Sequence, residues 1–555
     1  MKQDASQPIR FGYPLHLGLT DPEKDTLPLK DRVAGKILAA QAKVVPDRPF
    51  LCYEKKWITY SEADKRANKT ANMLANLGIK KGDKVAIAIK NCPEYLDLWF
   101  ALTRIGGIQV PLNLDYRSPQ IKYVFERSKI DHLVVDTERL AEYRDVLQKT
   151  KIKTVIVLRG HHDGGSLNQG ELDYRTRYET ASDVYNSEWD QVSGADIGAV
   201  MNTSGTTGPS KGVLLTHAQQ YILGRMIAAD MALDKDDVYY NFFPLFHNTA
   251  QAMIAMPAIQ VGGAMVLTEK FSASRFWSDI EENGCTAFYY IGEIIKILLK
   301  SSASVDGNQT SLQKGWGIGA AEKDFIEFQK RFNVALCTGY GSTEANVPCY
   351  LPHGSTKTGS AGVVAKGFEI RIADEDGAQL PPGKEGEILV RSYEPCALMA
   401  GYDGNHQETI KAWKDLWLHT GDAGRIDEEG YLYFSGRIKD AIRVRGENIS
   451  AFEVESAMFS HPEIFEVAAI AVPSELGGDD LKIVVVLKSD SVMSPENLIT
   501  HAERLLPKYS IPRYVEFVKE LPKTPTNKIM KHVLRSNPFS AETWDRMTRT
   551  TLGKK

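Results

Sequence analysis

The chain has 555 residues, 67 of them Lys or Arg and 71 Asp or Glu, for a formal net charge of −4. At about 100–200 residues per domain that length calls for three or more structural units. The near balance of charge gives no basis for nucleic-acid binding. No apolar run is long enough to cross a bilayer. The nearest, 252–267, is broken by Pro257 and Gln260, so no membrane span is expected. The first ten residues lack the apolar core of a secretion signal. Cys52, Cys92, Cys285, Cys337, Cys349 and Cys396 show no C-x-x-C spacing. Reduced thiols in a cytoplasmic protein are therefore expected, and no zinc site.

Residues 1 to about 30 are Pro- and charge-containing and read as a surface arm. From Ser61, Ala63, Ala67, Ala71, Leu74 and Leu77 recur at helical spacing, with Gly78 as a stop. Lys84–Ile89 reads as a buried strand, and Pro93 opens a helix running through Trp99 and Phe100 to Gly106. Strands are expected at Ile108–Leu112, His132–Val135 and Thr154–Leu158. Strands alternating with helices predict a parallel, doubly wound sheet. Residues 159–195 are polar and aperiodic and read as a loop. The alternation resumes with a strand at Val213–Thr216, a helix at Ala218–Ala232, and strands at Ala264–Thr268 and Cys285–Ile291, a second sheet system. Ser360–Ser392 has a period near two, with Gly and Pro turns, and predicts a β-rich subdomain. A strand at Tyr431–Phe434 is followed by a helix at Glu453–Phe459 and strands at Val467–Val472 and Lys482–Leu487. The expected fold is α/β: a large N-terminal region of two doubly wound α/β subdomains plus a β-rich subdomain, then a small α+β C-terminal domain. From Ser536 the chain is polar and is expected to form a mobile tail.

Four motifs carry chemistry. Thr203-Ser204-Gly205-Thr206-Thr207-Gly208-Pro209-Ser210-Lys211-Gly212 packs glycines, hydroxyls and a lysine into one loop. Glycines let the backbone approach a ligand closely, and successive N–H groups form an anion-binding nest, so the loop suits a polyphosphate. It lacks the Walker spacing. Tyr340-Gly341-Ser342-Thr343-Glu344 sets a hydroxyl and a carboxylate together, and hard Mg²⁺ takes one or two carboxylates beside phosphate oxygens. His419-Thr420-Gly421-Asp422 offers a carboxylate that can accept both hydroxyls of a ribose. Near the end, Pro522-Lys-Thr-Pro-Thr-Asn-Lys528 presents a mobile point charge suited to phosphoryl transfer.

In this order along the chain the motifs resemble those of the adenylate-forming superfamily: acyl-CoA synthetases, peptide-synthetase adenylation domains and luciferases. Within it the chain is closest in style to acid–CoA ligases of the crotonobetaine/carnitine or medium-chain and aryl acid type. The resemblance implies ATP, Mg²⁺ and coenzyme A as cofactors and a small carboxylic acid as substrate. It implies that Thr203, Ser204, Gly205, Thr206, Thr207, Gly208 and Lys211 hold phosphate, and that Glu344 and Thr207 serve the metal. Thr343 would contact the α-phosphate and Tyr340 the adenine. Gly319, Ala320 and Ala321, in a loop dividing acid from adenine, would line the nucleotide with Gly339, Gly341 and Ser342. Asp422 would take the ribose, and Arg437 the ribose or a phosphate. Lys528, preceded by Asn527 where the family usually has Gly, would bridge carboxylate and α-phosphate. His247, in Phe242-Phe-Pro-Leu-Phe-His247, would gate the acid or serve as a satisfied structural histidine. Gln251, Ile291, Gly339 and Val347 would wall the acid pocket. A hinge at 438–440 with Lys439 as pivot would divide residues 1–437 from a mobile lid at 441–537, leaving 538–555 as tail, and Gly446 would line the CoA channel. The activity implied is acyl-adenylate formation followed by transfer to the CoA thiol. An adenylation enzyme serving a carrier protein and a non-catalytic nucleotide-binding module are the alternatives. Oligomeric state stays open, a homodimer included.

Overall fold

The computed structural model describes residues 27–150, 152–160, 167–203, 210–301, 310–351, 355–438, 442–444, 447–449, 451–474, 479–489, 491–524 and 529–554. The chain divides into two compact units. The first takes in the described residues up to Thr203, then Ser210–Glu369 and Arg391–Leu418; the second holds Ile370–Val390 and the described residues from His419 onward.

Two large sheets organise the first unit, as the alternating pattern predicts. One has eight strands. Its parallel part runs through Ile197–Thr203, Ile108–Pro111, Lys84–Ala88, His132–Asp136, Thr154–Leu158 and Glu171–Asp173. The other has nine, with Val238–Asn241, Ala264–Leu267, Ala287–Ile291, Lys314–Ile318 and Ala335–Ser342 parallel and antiparallel strands at its edges. Two helices touch both sheets. In Pro93–Ile105 every residue from Tyr95 is buried, and in His217–Asp230 every residue up to Ala228 is buried. A helix buried all round belongs in a core between layers, which is why the second shows no polar face. Pro93 supplies the pre-set φ of a first helical position, and Gly106, at φ 75°, stops that helix in the left-handed conformation.

In the second unit Ile464–Pro473, Asp479–Leu487 and Tyr514–Phe517 pair in that order and are extended by Trp544–Asp545 and Thr550–Thr551. The helices Ala451–Phe459 and Pro495–Leu505 cover one face, with Val454, Met458, Ile483, Val485, Leu498 and Trp544 in the core. The large α/β region with several sheets and the smaller α+β domain agree with the expected fold class.

Two local expectations are corrected. Residues 159–195 are more than a loop: Glu171–Asp173 pairs with Thr154–Leu158, the helix Tyr174–Glu179 follows, and Ser187–Gln191 forms a 3-10 turn that buries Trp189. The stretch after Ser536 likewise packs. Trp544 enters the core, and Arg513 grips Asp545 on the added strand. Both segments are polar and short, so their structure depends on the partners that pair with them. Among the described residues no helix is long and apolar enough to cross a membrane.

Candidate functional site

In open α/β sheets ligands bind beyond the carboxyl ends of the parallel strands. The nine-stranded sheet places three of the candidate segments there. Lys314–Ile318 runs directly into Gly319, Ala320 and Ala321, Ala335–Ser342 contains Gly339, Tyr340, Gly341 and Ser342, and Val238–Asn241 leads to Phe242 and His247. The glycines are needed. Gly319 has φ 74°, and a Cβ on Gly292, at the end of the neighbouring strand, would sit 1.9 Å from the Gly319 carbonyl oxygen.

The phosphate loop is closed at its base by antiparallel pairing of Thr203 with Lys211. Ser210 Oγ donates to the Thr203 carbonyl at 2.8 Å, and Arg127 Nη1 donates to the Ser210 carbonyl at 2.6 Å. Ser204, Gly205, Thr206, Thr207 and Gly208 lie outside the described residues, as do Lys439, Gly446 and Lys528. At the rim of the loop the Lys211 ammonium pairs with Glu408 Oε2 at 2.5 Å and stands 4.7 Å from the centre of the Tyr402 ring. Hydrogen bonds from Lys211 and Lys411 hold the Glu408 carboxyl down at about 2. The Tyr402 hydroxyl donates to Glu344 Oε1 at 3.1 Å. One tyrosine thus joins the phosphate-loop lysine to the candidate metal carboxylate. Sequence reasoning missed Tyr402 and Glu408. Their signal is the Gly401-Tyr402 pair followed by Asn405, which caps the helix His406–Ala412 that carries Glu408.

Thr343 and Glu344 are positioned from the start of the His217–Asp230 helix. Gln219 Nε2 donates to the Thr343 carbonyl at 3.0 Å, and the Met399 amide donates to the Glu344 carbonyl at 2.9 Å. Asn346 takes the left-handed conformation, φ 59°, and its Nδ2 donates to the carbonyls of Gln219 and Ala397. Glu344 is half-buried with one oxygen bonded by Tyr402, a donor set that fits Mg²⁺ beside phosphate oxygens.

His247 is half-buried. The Thr249 amide donates to its Nδ1 at 3.2 Å, and the Thr249 hydroxyl lies 2.9 Å from the same nitrogen. A neutral His247 therefore carries its proton on Nε2. Thr249 begins a π-helix, Thr249–Ala255, a rare form that is frequent at functional sites. Gln251 is corrected as a pocket wall. It is wholly buried, and it and Gln109 exchange reciprocal amide hydrogen bonds, Gln109 Nε2 to Gln251 Oε1 at 2.6 Å.

The second unit carries Asp422 and Arg437. Asp422 and Arg437 are direct partners on the antiparallel strands Trp417–Ile426 and Leu432–Arg437, with Nε 2.8 Å from Oδ1. The Asp422 side chain is only 4% exposed and that of Arg437 is 40% exposed, so the guanidinium presents the pair outward. Glu387 fixes the turn before them, accepting from the Gly421 amide at 3.0 Å and lying 2.8 Å from His419 Nδ1.

Comparison with known proteins follows the same lines. Residues 38–403 match the AMP-binding enzyme family, and residues 453–528 match the AMP-binding enzyme C-terminal domain. A crotonobetaine/carnitine–CoA ligase of Salmonella heidelberg is 31% identical over 507 residues, covering 89% of this chain and 97% of its own. The crystal structure of the anthranilate CoA ligase AuaEII with anthranoyl-AMP superposes with a TM-score of 0.83 at 25% identity, covering 92% of this chain and 98% of that one. ATP-bound MatB from Rhodopseudomonas palustris gives 0.80 at 25% identity, over 91% and 98%. The chain belongs to the AMP-binding enzyme family, the adenylate-forming acyl-CoA synthetase superfamily, close to acid–CoA ligases of the crotonobetaine/carnitine type. Its chemistry is the ATP-dependent adenylation of an acid that typifies that superfamily.

Proposed function

We propose that the protein is an AMP-forming carboxylic acid–CoA ligase. The observation that carries this reading is the Lys211–Tyr402–Glu344 network, in which one tyrosine joins the candidate phosphate cation to the candidate metal carboxylate. In the first half-reaction the substrate carboxylate attacks the α-phosphorus of ATP, and pyrophosphate leaves. Lys211, the loop at 203–212, Thr343 and Lys528 would stabilise the charge that develops on the phosphoryl oxygens, where fixed donors contribute most. Mg²⁺ held by Glu344 and Thr207 would neutralise phosphate charge. Tyr340, Gly339, Gly341, Ser342 and Gly319–Ala321 would bind adenine, and Asp422 with Arg437 the ribose. In the second half-reaction the CoA thiol attacks the acyl-adenylate carbonyl, the C–S bond forms, the C–O bond to phosphate breaks, and AMP departs. A turn about Lys439 would exchange Lys528 for the segment around Gly446 between the two steps, with residues 441–537 moving as a lid. The relatives named as CoA ligases support CoA as acceptor.

The test is AMP and pyrophosphate release from Mg·ATP with and without CoA over a panel of acids. CoA-dependent AMP formation is expected. Acid-dependent pyrophosphate exchange that CoA does not pull forward would instead assign an adenylating enzyme with another acceptor.

A further inference from the structure

Phe243-Pro244-Leu245-Phe246-His247 follows the strand Val238–Asn241 and forms neither strand nor helix, yet Phe243 and Leu245 are buried. A buried turn is costly, because its peptide groups leave water without a ladder to pair in. Side-chain amides take up these groups. Asn91 Nδ2 donates to the Phe243 carbonyl at 3.0 Å, and Asn91 Oδ1 accepts from the Leu245 amide at 2.8 Å. Gln251 Nε2 donates to the Leu245 carbonyl at 2.7 Å, and Asn241 Oδ1 accepts from the Phe243 amide at 2.9 Å. The N–H and C=O groups of Phe243 and Leu245 are thus bonded, each to a side-chain carboxamide.

These carboxamides are anchored from both sheets. Asn91 lies just after Lys84–Ala88 of the eight-stranded sheet, and its Nδ2 also donates at 3.0 Å to the carbonyl of Thr268, which follows Ala264–Leu267 of the nine-stranded one. Gln251 sits in the π-helix Thr249–Ala255 and is held in turn by Gln109, on Ile108–Pro111, which donates to its Oε1 at 2.6 Å and accepts from its Nε2 at 3.1 Å. Immediately after His247, Asn248 Oδ1 accepts from Gln220 Nε2 of the His217–Asp230 helix at 3.0 Å. All six amide side chains are buried. A satisfied buried network of directional bonds fixes a segment more closely than apolar packing does. What it brackets is His247, whose amide donates to the Pro244 carbonyl at 3.0 Å and whose Nδ1 accepts from the Thr249 amide. The turn also stands beyond the carboxyl end of a parallel strand, where ligands bind in open α/β sheets.

Resting on the acid-activating half of the ligase reading above, we infer that Asn91 and Gln251, backed by Gln109, are positioning residues for that step: their amides fix the buried turn and so hold the His247 imidazole in place for the carboxylate of the acid. They act through the turn, without touching substrate. Small misplacements of a group that aligns a reactant carry large rate costs. Neutral amides suit the task, because they satisfy the turn without adding a charge that would repel or trap a carboxylate.

Acid-dependent pyrophosphate exchange with Mg·ATP and the full chain reports this step whatever the acyl acceptor. Butanoate, octanoate, benzoate and 4-(trimethylammonio)butanoate are the probes, and the most active one is carried forward. Gln251→Met keeps the length of the side chain and removes its hydrogen bonds. It is expected to lower kcat/KM for the acid about tenfold while KM for ATP stays within about twofold. A cycle with His247→Ala separates positioning from general damage: in that background Gln251→Met should change kcat/KM by less than about twofold. If Gln251→Met does not fold, as judged by circular dichroism, Gln109→Met takes its place one bond further from the turn, with a loss of about threefold expected that also vanishes on His247→Ala. If His247→Ala abolishes exchange, nitrogen NMR of labelled histidine decides: the His247 ring signals should move in the folded amide variant, and unmoved signals overturn the inference. An unchanged kcat/KM, a rise in KM for ATP that matches the loss for the acid, or a loss that persists without His247 also overturns it and leaves the ligase reading standing. Wild-type exchange with none of these acids, nor with any of the wider panel, would bring down the ligase reading and the inference with it.

Discussion

Tyr402→Phe removes one hydroxyl and keeps the ring. What it takes away is the hydrogen bond to Glu344 Oε1 at 3.1 Å; what it keeps is the aromatic face 4.7 Å from the Lys211 ammonium. A hydrogen bond to a charged group contributes about 1.5–3 kcal/mol. If all of it orients Glu344 for the transition state, kcat/KM for adenylate formation falls by ~10- to ~150-fold at 1.36 kcal/mol per decade. Tyr402→Leu also removes the cation–π contact, worth about 0.5–1 kcal/mol at a partly exposed site, and should cost ~2- to ~5-fold more. Acid-dependent pyrophosphate exchange isolates the first half-reaction, and Mg²⁺ titration should show the variant needing more metal for half-maximal rate. A double-mutant cycle with Glu344→Ala separates coupling from general damage. Tyr402→Phe should matter little once Glu344 is gone, giving a coupling of about 1.5 kcal/mol or more. Additive losses, or an unchanged Mg²⁺ requirement, would refute the claim that Tyr402 acts through Glu344.

Lys528→Ala is expected to stop adenylate formation and largely spare thioester formation from a supplied acyl-adenylate; equal loss of both steps would remove the role given to it. His217, at the start of its helix, is buried, and desolvation takes its pKa from the ordinary 6.5 to about 4. The folded state keeps it neutral while the unfolded chain protonates below pH 6.5, so its contribution is complete above that value and is lost as pH falls. The loss reaches the order of 3 kcal/mol near pH 4. Urea unfolding across pH 4–7 should give a shallower decline for His217→Asn than for wild type, and parallel curves would exclude the histidine as the source. Arg104 is 1% exposed, lies 2.5 Å from Asp64 and bonds Asn68 and the Gly35 carbonyl. Arg104→Met should cost about 3 kcal/mol, since Asp64 loses its counter-charge in partly buried surroundings, and an unchanged unfolding midpoint would show that the network contributes nothing.

The sheets were legible because parallel strands buried on both faces read as short apolar runs between helical patterns. Lys84–Ala88, His132–Asp136 and Thr154–Leu158 are cases in point. The candidate phosphate loop, Glu344 and Asp422 stood out as candidates because their residue types crowd into a few consecutive positions. Tyr402 and Glu408 were not, because each acts singly and draws its meaning from Lys211, some two hundred positions earlier. Glu171–Asp173 and Trp544–Asp545 escaped for a related reason. A strand of two or three residues has no periodicity of its own and is fixed by the strand it pairs with. Gln251 misled because an amide beside a candidate gate suits a pocket as well as it suits the reciprocal bond with Gln109 that it makes.

Asp230 shows the same limit most sharply. Read along the chain it is one acid at the end of a helix, thirteen positions past His217 and far from every motif. The fold packs that helix between both sheets. Near its start Gln219 holds the Thr343 carbonyl, and at its last residue Asp230 meets Trp316 and Cys337. The helix is buried on all sides up to Ala228, so neither end can shift without disturbing both sheets it packs against.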